Sequence, residues 1–255
     1  MEFMSKLLII TLSTAGYNKY VNELFRSLDK AFKGEFEVRD VCWITDETDD
    51  SCINTFVDNA KGMDTLGTMG IVHMPWPIIT CLKFDFVRQI LQDEQFQDYD
   101  YVLYLDSVMR IRKELHLSDF MLDKVNVWEH FLWDFMSDYE RRFLHNERKN
   151  TYSYIKEEDR YEYVHAGMFF GRTDIIKSLC IEVQELMNKE LRNGILPQWH
   201  DESCLNYVYN QLSDNFNVIS SQVYDEGAPN RYSRPIEDYQ LSFENCTDCQ
   251  KDKEV

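Results

Sequence analysis

The chain has 255 residues and carries 27 Lys+Arg against 45 Asp+Glu, a formal net charge of −18. So acidic a surface lacks the clustered cations that nucleic-acid phosphates need, and it repels anionic lipid. A hydrophobic content of 44%, with few Gly (9) and Pro (5), argues against disorder and for a buried core. No apolar run approaches the roughly 18 residues of a transmembrane helix. Leu7 to Leu12 is short for a signal segment, lacks a small-residue cleavage site behind it, and reads as a first buried strand.

Seven scattered cysteines suit reduced thiols, and hence a cytoplasmic location. The close pair Cys246 and Cys249 has no further ligands of matching spacing and reads as two ordinary thiols.

In chain order, Lys6 to Leu12 predicts a strand and Ser13 to Gly16 a turn. Tyr20, Val21, Leu24, Phe25, Leu28 and Phe32 fall at helical spacing, and Gly34 ends that run. Phe36 to Ile44 predicts a strand closing at Thr45-Asp46, and Asp49 to Gly70 is irregular by pattern. Val72 to Trp76 reads as a short strand, with Pro75 and Pro77 marking its exit. A helix follows over Leu82 to Phe96, then a central strand from Tyr101 to Leu105 that ends at Asp106.

The order strand, helix, strand, strand, helix, strand indicates an open α/β sheet, whose ligands gather at the carboxyl ends of strands. Asp46 and Asp106 both belong to that edge. Farther on, Val127 to Trp133 and Tyr163 to Phe170 are apolar runs. Thr173 is placed to cap a helix that Gly194 ends, and a second helix follows Trp199. Without repeat or flexible linker, residues 1–255 read as one continuous domain with a tail at 229–255.

The densest chemical cluster is Trp199-His200-Asp201-Glu202-Ser203, just before that last helix. Two acidic residues there suit a helix N-terminus, which is the plain structural reading. Beside an indole they also suit sugar chemistry, where carboxylates accept hydroxyl hydrogen bonds or act as a nucleophile. With Leu205-Asn206 the cluster resembles the W-H-D-E-S-x-L-N signature of the family 6 retaining glycosyltransferases. That family includes the blood-group A and B transferases, the α-1,3-galactosyltransferases and shorter bacterial members.

Further matches follow in family order: Trp76-Pro77 with Thr80, Asp98 to Tyr101, Tyr139 to Arg142, Tyr154-Ile155, and His165-Ala166-Gly167 with Gly171. The resemblance spans about residues 6–228. It implies a GT-A fold, a Rossmann-like open mixed sheet flanked by helices. It also implies transfer of N-acetylgalactosamine or galactose from a UDP-sugar to a β-galactoside, with retention.

Carried over by position, Glu202 is the catalytic carboxylate, as nucleophile or as the charge facing an oxocarbenium-like state; both roles stay open. Donor binding falls to Ile10, Thr11, Leu12 and Tyr17 around the uridine, and to Lys83, Asp106, Val108, His165, Ala166, Gly167 and Asp201. Acceptor binding falls to Trp199, His200, His130 and Asp225.

One departure matters. The family's D-x-D metal motif falls on Asp106-Ser107-Val108, and a Val side chain offers no oxygen to a divalent cation. The expectation is therefore activity without a required cofactor, Mn²⁺ being disfavoured. Lys83 and the tail residues Lys251 and Lys253 are candidates to neutralise the leaving UDP, and Arg110 and Arg112 read as solvated. In the family, Gly at the position of Gly167 leaves room for an acetamido group, whereas His at that of His165 is more typical of galactosyl members. The resemblance therefore implies a donor that leans to N-acetylgalactosamine. The acceptor is an oligosaccharide or a lipid-linked glycan at the inner membrane face. The rival expectation, motivated by Val108, is a catalytically weak relative that binds sugar nucleotide or glycan.

Overall fold

A computed structural model of the chain describes residues 5–49, 53, 60, 62–111, 114–130, 148–159, 162–219 and 243–245. At its centre runs β1 (Lys6–Ser13), in which Leu7 to Ile10 are fully buried. It pairs in parallel with β2 (Val38–Thr45) on one side and with β4 (Tyr101–Asp106) on the other. A parallel strand covered on both faces needs side chains that are apolar in either direction, which is why β1 and β4 read as unbroken hydrophobic runs. The edge strand β3 (Thr65–Gly70) joins β2 in parallel.

Beyond β4 the direction reverses. β7 (Val164–Arg172) is antiparallel to β4 and to β6 (Val125–Glu129), and β8 (Phe216–Ile219) closes the far edge parallel to β6. The sheet order is β3-β2-β1-β4-β7-β6-β8, while β5 (Met109–Ile111) pairs separately with β9 (Phe243–Asn245).

Alternation along the strands divides the core between the two faces. Leu8, Ile10, Tyr104 and Phe169 pack under α2 (Lys83–Gln92), α3 (Thr173–Arg192) and α4 (Asp201–Gln211). Leu7, Ile9, Trp43, Leu103 and Phe170 pack under α1 (Asn18–Ser27). This open mixed sheet flanked by helices is of the GT-A type that the resemblance implies. Among the described residues, no helix is long and apolar enough to cross a membrane.

Four local expectations need correction. The segment 72–76 is not a strand; the strand is β3, seven residues earlier, in a stretch whose pattern looked irregular. An edge strand with two glycines carries little alternation, and its pairing rests on backbone and on Asp40, which accepts from Thr65 N–H at 2.8 Å. The first helix stops at Ser27, because the chain turns so that Ala31 bridges to Leu115, with Phe32 at φ 52. The helix expected to reach Phe96 ends at Gln92, where Asp93 becomes extended and its carboxylate accepts from Gln95 N–H. Thr173 is the first residue of α3 rather than its cap, and its hydroxyl donates to the Tyr99 carbonyl at 2.6 Å. The other end of α3 is as expected: Gly194 at φ 68 closes it, with N–H bonds from Gly194 to Leu191 and from Ile195 to Glu190.

The strand directions build the site. The carboxyl ends of β1, β2, β4 and β6 point to one edge of the sheet, and antiparallel β7 begins there. Leu105 pairs with Met168, so the β7 residues before Met168 extend past the last paired residue of β4. Tyr163 gives its carbonyl to His130 N–H on the β6 side, which turns Val164 and Ala166 the other way. Their exposed backbone groups need partners, and α4 supplies them. Asn206 Oδ1 accepts from Val164 N–H and Asn206 Nδ2 donates to Val164 O, both at 2.8 Å. Nδ2 also donates to the Glu202 carbonyl at 2.9 Å.

Asn206→Ala should therefore leave two buried backbone groups unpaired and cost about 2–4 kcal/mol. Urea denaturation should show a lower midpoint with an unchanged slope; an unchanged midpoint would mean that Asn206 does not hold α4 to β7.

Candidate active site

A cleft of about 470 Å³ opens at this edge, within the usual size range of small-molecule sites. Its walls come from the end of β1 and start of α1 (Leu12, Ser13, Thr14, Tyr17, Tyr20), the segment His73–Trp76, and Lys83 with Asp106, Ser107 and Val108. Leu12, Tyr17, Lys83, Asp106 and Val108 thus meet around one space, whereas His165, Ala166, Gly167, Asp201 and Glu202 are not among the residues that line it. Ile10 and Thr11 do not line it: both side chains are fully buried in β1, Ile10 within the core. Asp225 lies outside the described residues, as do Arg112, Tyr139 to Arg142, Cys246, Cys249, Lys251 and Lys253.

Two of the lining residues, Lys83 and Asp106, belong to a buried ion cluster that continues beneath the cleft. Lys83, 3% exposed at the start of α2, places its Nζ 2.7 Å from Asp201 Oδ2 and 3.2 Å from Asp106 Oδ1. It also donates to the Ala166 carbonyl at 3.2 Å. Burial alone would lower the Lys83 pKa, but the two carboxylates outweigh it and push it up. Asp201 moves up as well, because its burial outweighs the pull of Lys83. Asp106 takes a further hydrogen bond from the Tyr104 hydroxyl at 2.6 Å. Lys83 is thus no spare cation: its charge is already shared by two carboxylates.

The same arrangement bears on the metal motif. Both Asp106 oxygens lie within 3.3 Å of the Lys83 ammonium, and Val108 brings no oxygen. These residues do not fit a hard divalent ion, whose shell needs several free oxygens.

Glu202 stands beside this cluster in the first turn of α4, and its Oε2 accepts from Ala166 N–H at 3.0 Å. Its approach is set by an unusual turn. His200 has φ 55, a costly conformation for a residue with a side chain, and such strain is concentrated at functional sites. Glu202 N–H donates to Trp199 O, and Trp199 N–H donates to Ser203 Oγ at 2.9 Å, so the turn is closed on both sides. Burial pushes the Glu202 carboxyl up to about 7, against the Ala166 N–H that favours its charge. A carboxylate at that value changes charge near neutrality.

Around Glu202 stand His130, His165 and Tyr163. Burial pulls His130 down to about 4, so it is neutral at pH 7. His165 folds back so that its Nδ1 accepts from Gly167 N–H at 2.9 Å. A Cβ on Gly167 would lie 2.3 Å from His165 Cε1, so the space that Gly167 leaves is filled by the imidazole of this chain itself. Trp76, 64% exposed, meets His200 edge to face at 4.7 Å between ring centres. Trp199 and His200 are half-buried, and of these three rings only Trp76 lines the cleft.

Sequence reasoning missed His73. Its Nδ1 lies 2.6 Å from Asp46 Oδ2, and Asn18 Nδ2 donates to the other Asp46 oxygen at 3.2 Å. The position of Asp46 at the end of β2 was a usable signal, but its partner comes from the segment read as a strand. Arg110 pairs with Glu23.

Lys83→Met should cost about 3–5 kcal/mol at pH 7, because it strands two carboxylates that a buried ammonium held. In the wild type the raised Lys83 pKa keeps the ammonium charged through neutral pH and the ordinary lysine range, so on the alkaline side this stabilisation is lost only above that range. In the variant the deficit should shrink as pH falls and the carboxylates take protons. Thermal melts at pH 4 and pH 7 check this, and an equal deficit at both would contradict it.

The chain matches the family model of glycosyltransferase family 6 over residues 7–233. That span contains the cleft, the ion cluster around Lys83 and the carboxylate of Glu202, and the chain belongs to that family.

Proposed function

We propose that the chain is a retaining α-1,3-glycosyltransferase that moves N-acetylgalactosamine, or galactose, from a UDP-sugar to a β-galactoside without a divalent cation. The observation that carries this reading is the Glu202 carboxylate, aimed by Ala166 N–H and next in sequence to Asp201, which the cleft-lining Lys83 meets at 2.7 Å. A carboxylate so placed serves retention either as the nucleophile of a double displacement or as the charge facing an oxocarbenium-like state.

In this reading UDP lies along the cleft with its base on Tyr17, and the sugar reaches inward to Asp201. A Glu202 oxygen attacks the anomeric carbon while the bond to the UDP oxygen breaks. In the electrostatic variant, the Glu202 charge instead faces a short-lived oxocarbenium ion. The acceptor 3-hydroxyl oxygen then bonds to the anomeric carbon as the Glu202–carbon bond breaks, or, in the electrostatic variant, adds to the oxocarbenium ion. Its proton passes to the departed diphosphate or to the freed Glu202 carboxylate. Lys83 anchors Asp106 and Asp201 for this step, and Lys19, at the cleft wall, is the other ammonium near the diphosphate. Room for an acetamido group at Gly167 requires the His165 ring to swing aside, which makes donor choice a property of that pair. The acceptor is a glycan, free or lipid-linked, met on the cytoplasmic side.

Val108 favours a second reading, a catalytically weak relative that binds a sugar nucleotide. Slow hydrolysis of UDP-sugar without acceptor separates the two, since a binder leaves the donor intact.

The direct test is a panel of UDP-sugars against lactose and fucosyllactose, with and without chelator. Transfer from UDP-N-acetylgalactosamine or UDP-galactose should persist in chelator; complete loss, restored by Mn²⁺, would refute the metal-free part. The rate should also rise with pH through about 7, as Glu202 ionises. A flat profile between pH 5 and about 9 would contradict an ionised Glu202 as the working form.

A further inference from the structure

A second group of potential ligands adjoins the Lys83 cluster. His130 follows the end of β6, His165 lies on β7 and Glu202 opens α4. One ligand atom from each lies within 4.8 Å of the other two. Strand pairing fixes this proximity: Trp128 pairs with His165 and Glu129 with Val164, which brings His130 alongside at 5.3 Å between ring centres. Both imidazoles are buried, so their positions are set by packing.

Bonds of about 2.0–2.1 Å put two ligands of a tetrahedral ion roughly 3.3–3.4 Å apart, so closing this group takes side-chain shifts of about 1 Å. Two imidazole nitrogens and one carboxylate oxygen suit borderline transition ions and not hard ones. Three protein ligands also leave a fourth position open to water. The Asp106 motif differs in kind, since it offers oxygen alone and already holds an ammonium.

We propose that His130, His165 and Glu202 form a binding site for Zn²⁺ and similar borderline ions, and that the bound ion shuts the enzyme by taking its carboxylate. The second half rests on the reading of Glu202 as the catalytic carboxylate; the first half does not. Coordination through His165 sacrifices the Gly167 N–H bond to Nδ1, either by occupying that nitrogen or by moving a proton onto it. Binding therefore competes with that hydrogen bond.

Titration of the full chain with Co²⁺ as a spectroscopic probe tests the site. One saturable ion should appear, with the visible bands of low-coordinate nitrogen and oxygen ligation, and Zn²⁺ should displace it. His130→Asn and His165→Asn should each weaken binding by more than the roughly 10- to 100-fold that losing an outer-shell partner costs, with circular dichroism unchanged, while Asp106→Asn leaves it intact. Should one histidine variant fail to fold, the other decides. Absence of saturable binding, thiolate charge-transfer bands, or unchanged affinity in the histidine variants would overturn the site. Zn²⁺ should also suppress donor turnover with the midpoint of the displacement curve. Binding at the histidines with turnover intact would keep the site and overturn the role given to Glu202.

Discussion

One buried ammonium organises the working end of this molecule. Lys83 enters from the first turn of α2 and meets three segments far apart in sequence: Asp106 at the end of β4, Ala166 on β7 and Asp201 at the start of α4. An unpaired ammonium at that depth would be strongly disfavoured, so the three segments can close together only with both carboxylates in place. Once they close, Glu202 follows Asp201 into position beside Ala166. Glu202 is thereby located by an ion pair it does not share.

The strand pattern explains why such a cluster can exist here. A sheet that stayed parallel past β4 would present only carboxyl ends to this edge. Because β7 runs the other way and outruns β4, its first residues bring unpaired backbone groups into the site. Asn206, Glu202 and Lys83 satisfy those groups, so what holds α4 to the sheet also aims its side chains. Gly167 belongs to the same logic: no side chain fits there, since the His165 imidazole occupies the space.

Much of this was legible in the residues. Continuous apolar runs gave away β1 and β4, and the segment Trp199 to Ser203 placed Asp201 and Glu202 at a helix start. The edge strand β3 was hidden because its pairing is made by backbone and by Asp40, neither of which leaves a periodic trace. The burial of Ile10 and Thr11 followed from their central strand, yet resemblance alone assigned them to the uridine. The ties between Asp46 and His73, or Lys83 and Ala166, span 27 and 83 positions, and no local pattern reports contacts at such range. His200 likewise gave no hint of its left-handed backbone, which only the closed turn around Trp199 and Ser203 imposes.

The central claim is that the Glu202 charge, and not the shape of the cleft, performs the transfer. Replacing Glu202 by Gln keeps the volume and removes the charge, and the amide can neither attack the anomeric carbon nor stabilise positive charge there. The decisive measurement is kcat of Glu202→Gln beside its UDP affinity from calorimetry. The account predicts a fall in kcat of several orders of magnitude with UDP affinity nearly unchanged. A variant that kept about a tenth of the wild-type kcat would place the reacting centre elsewhere.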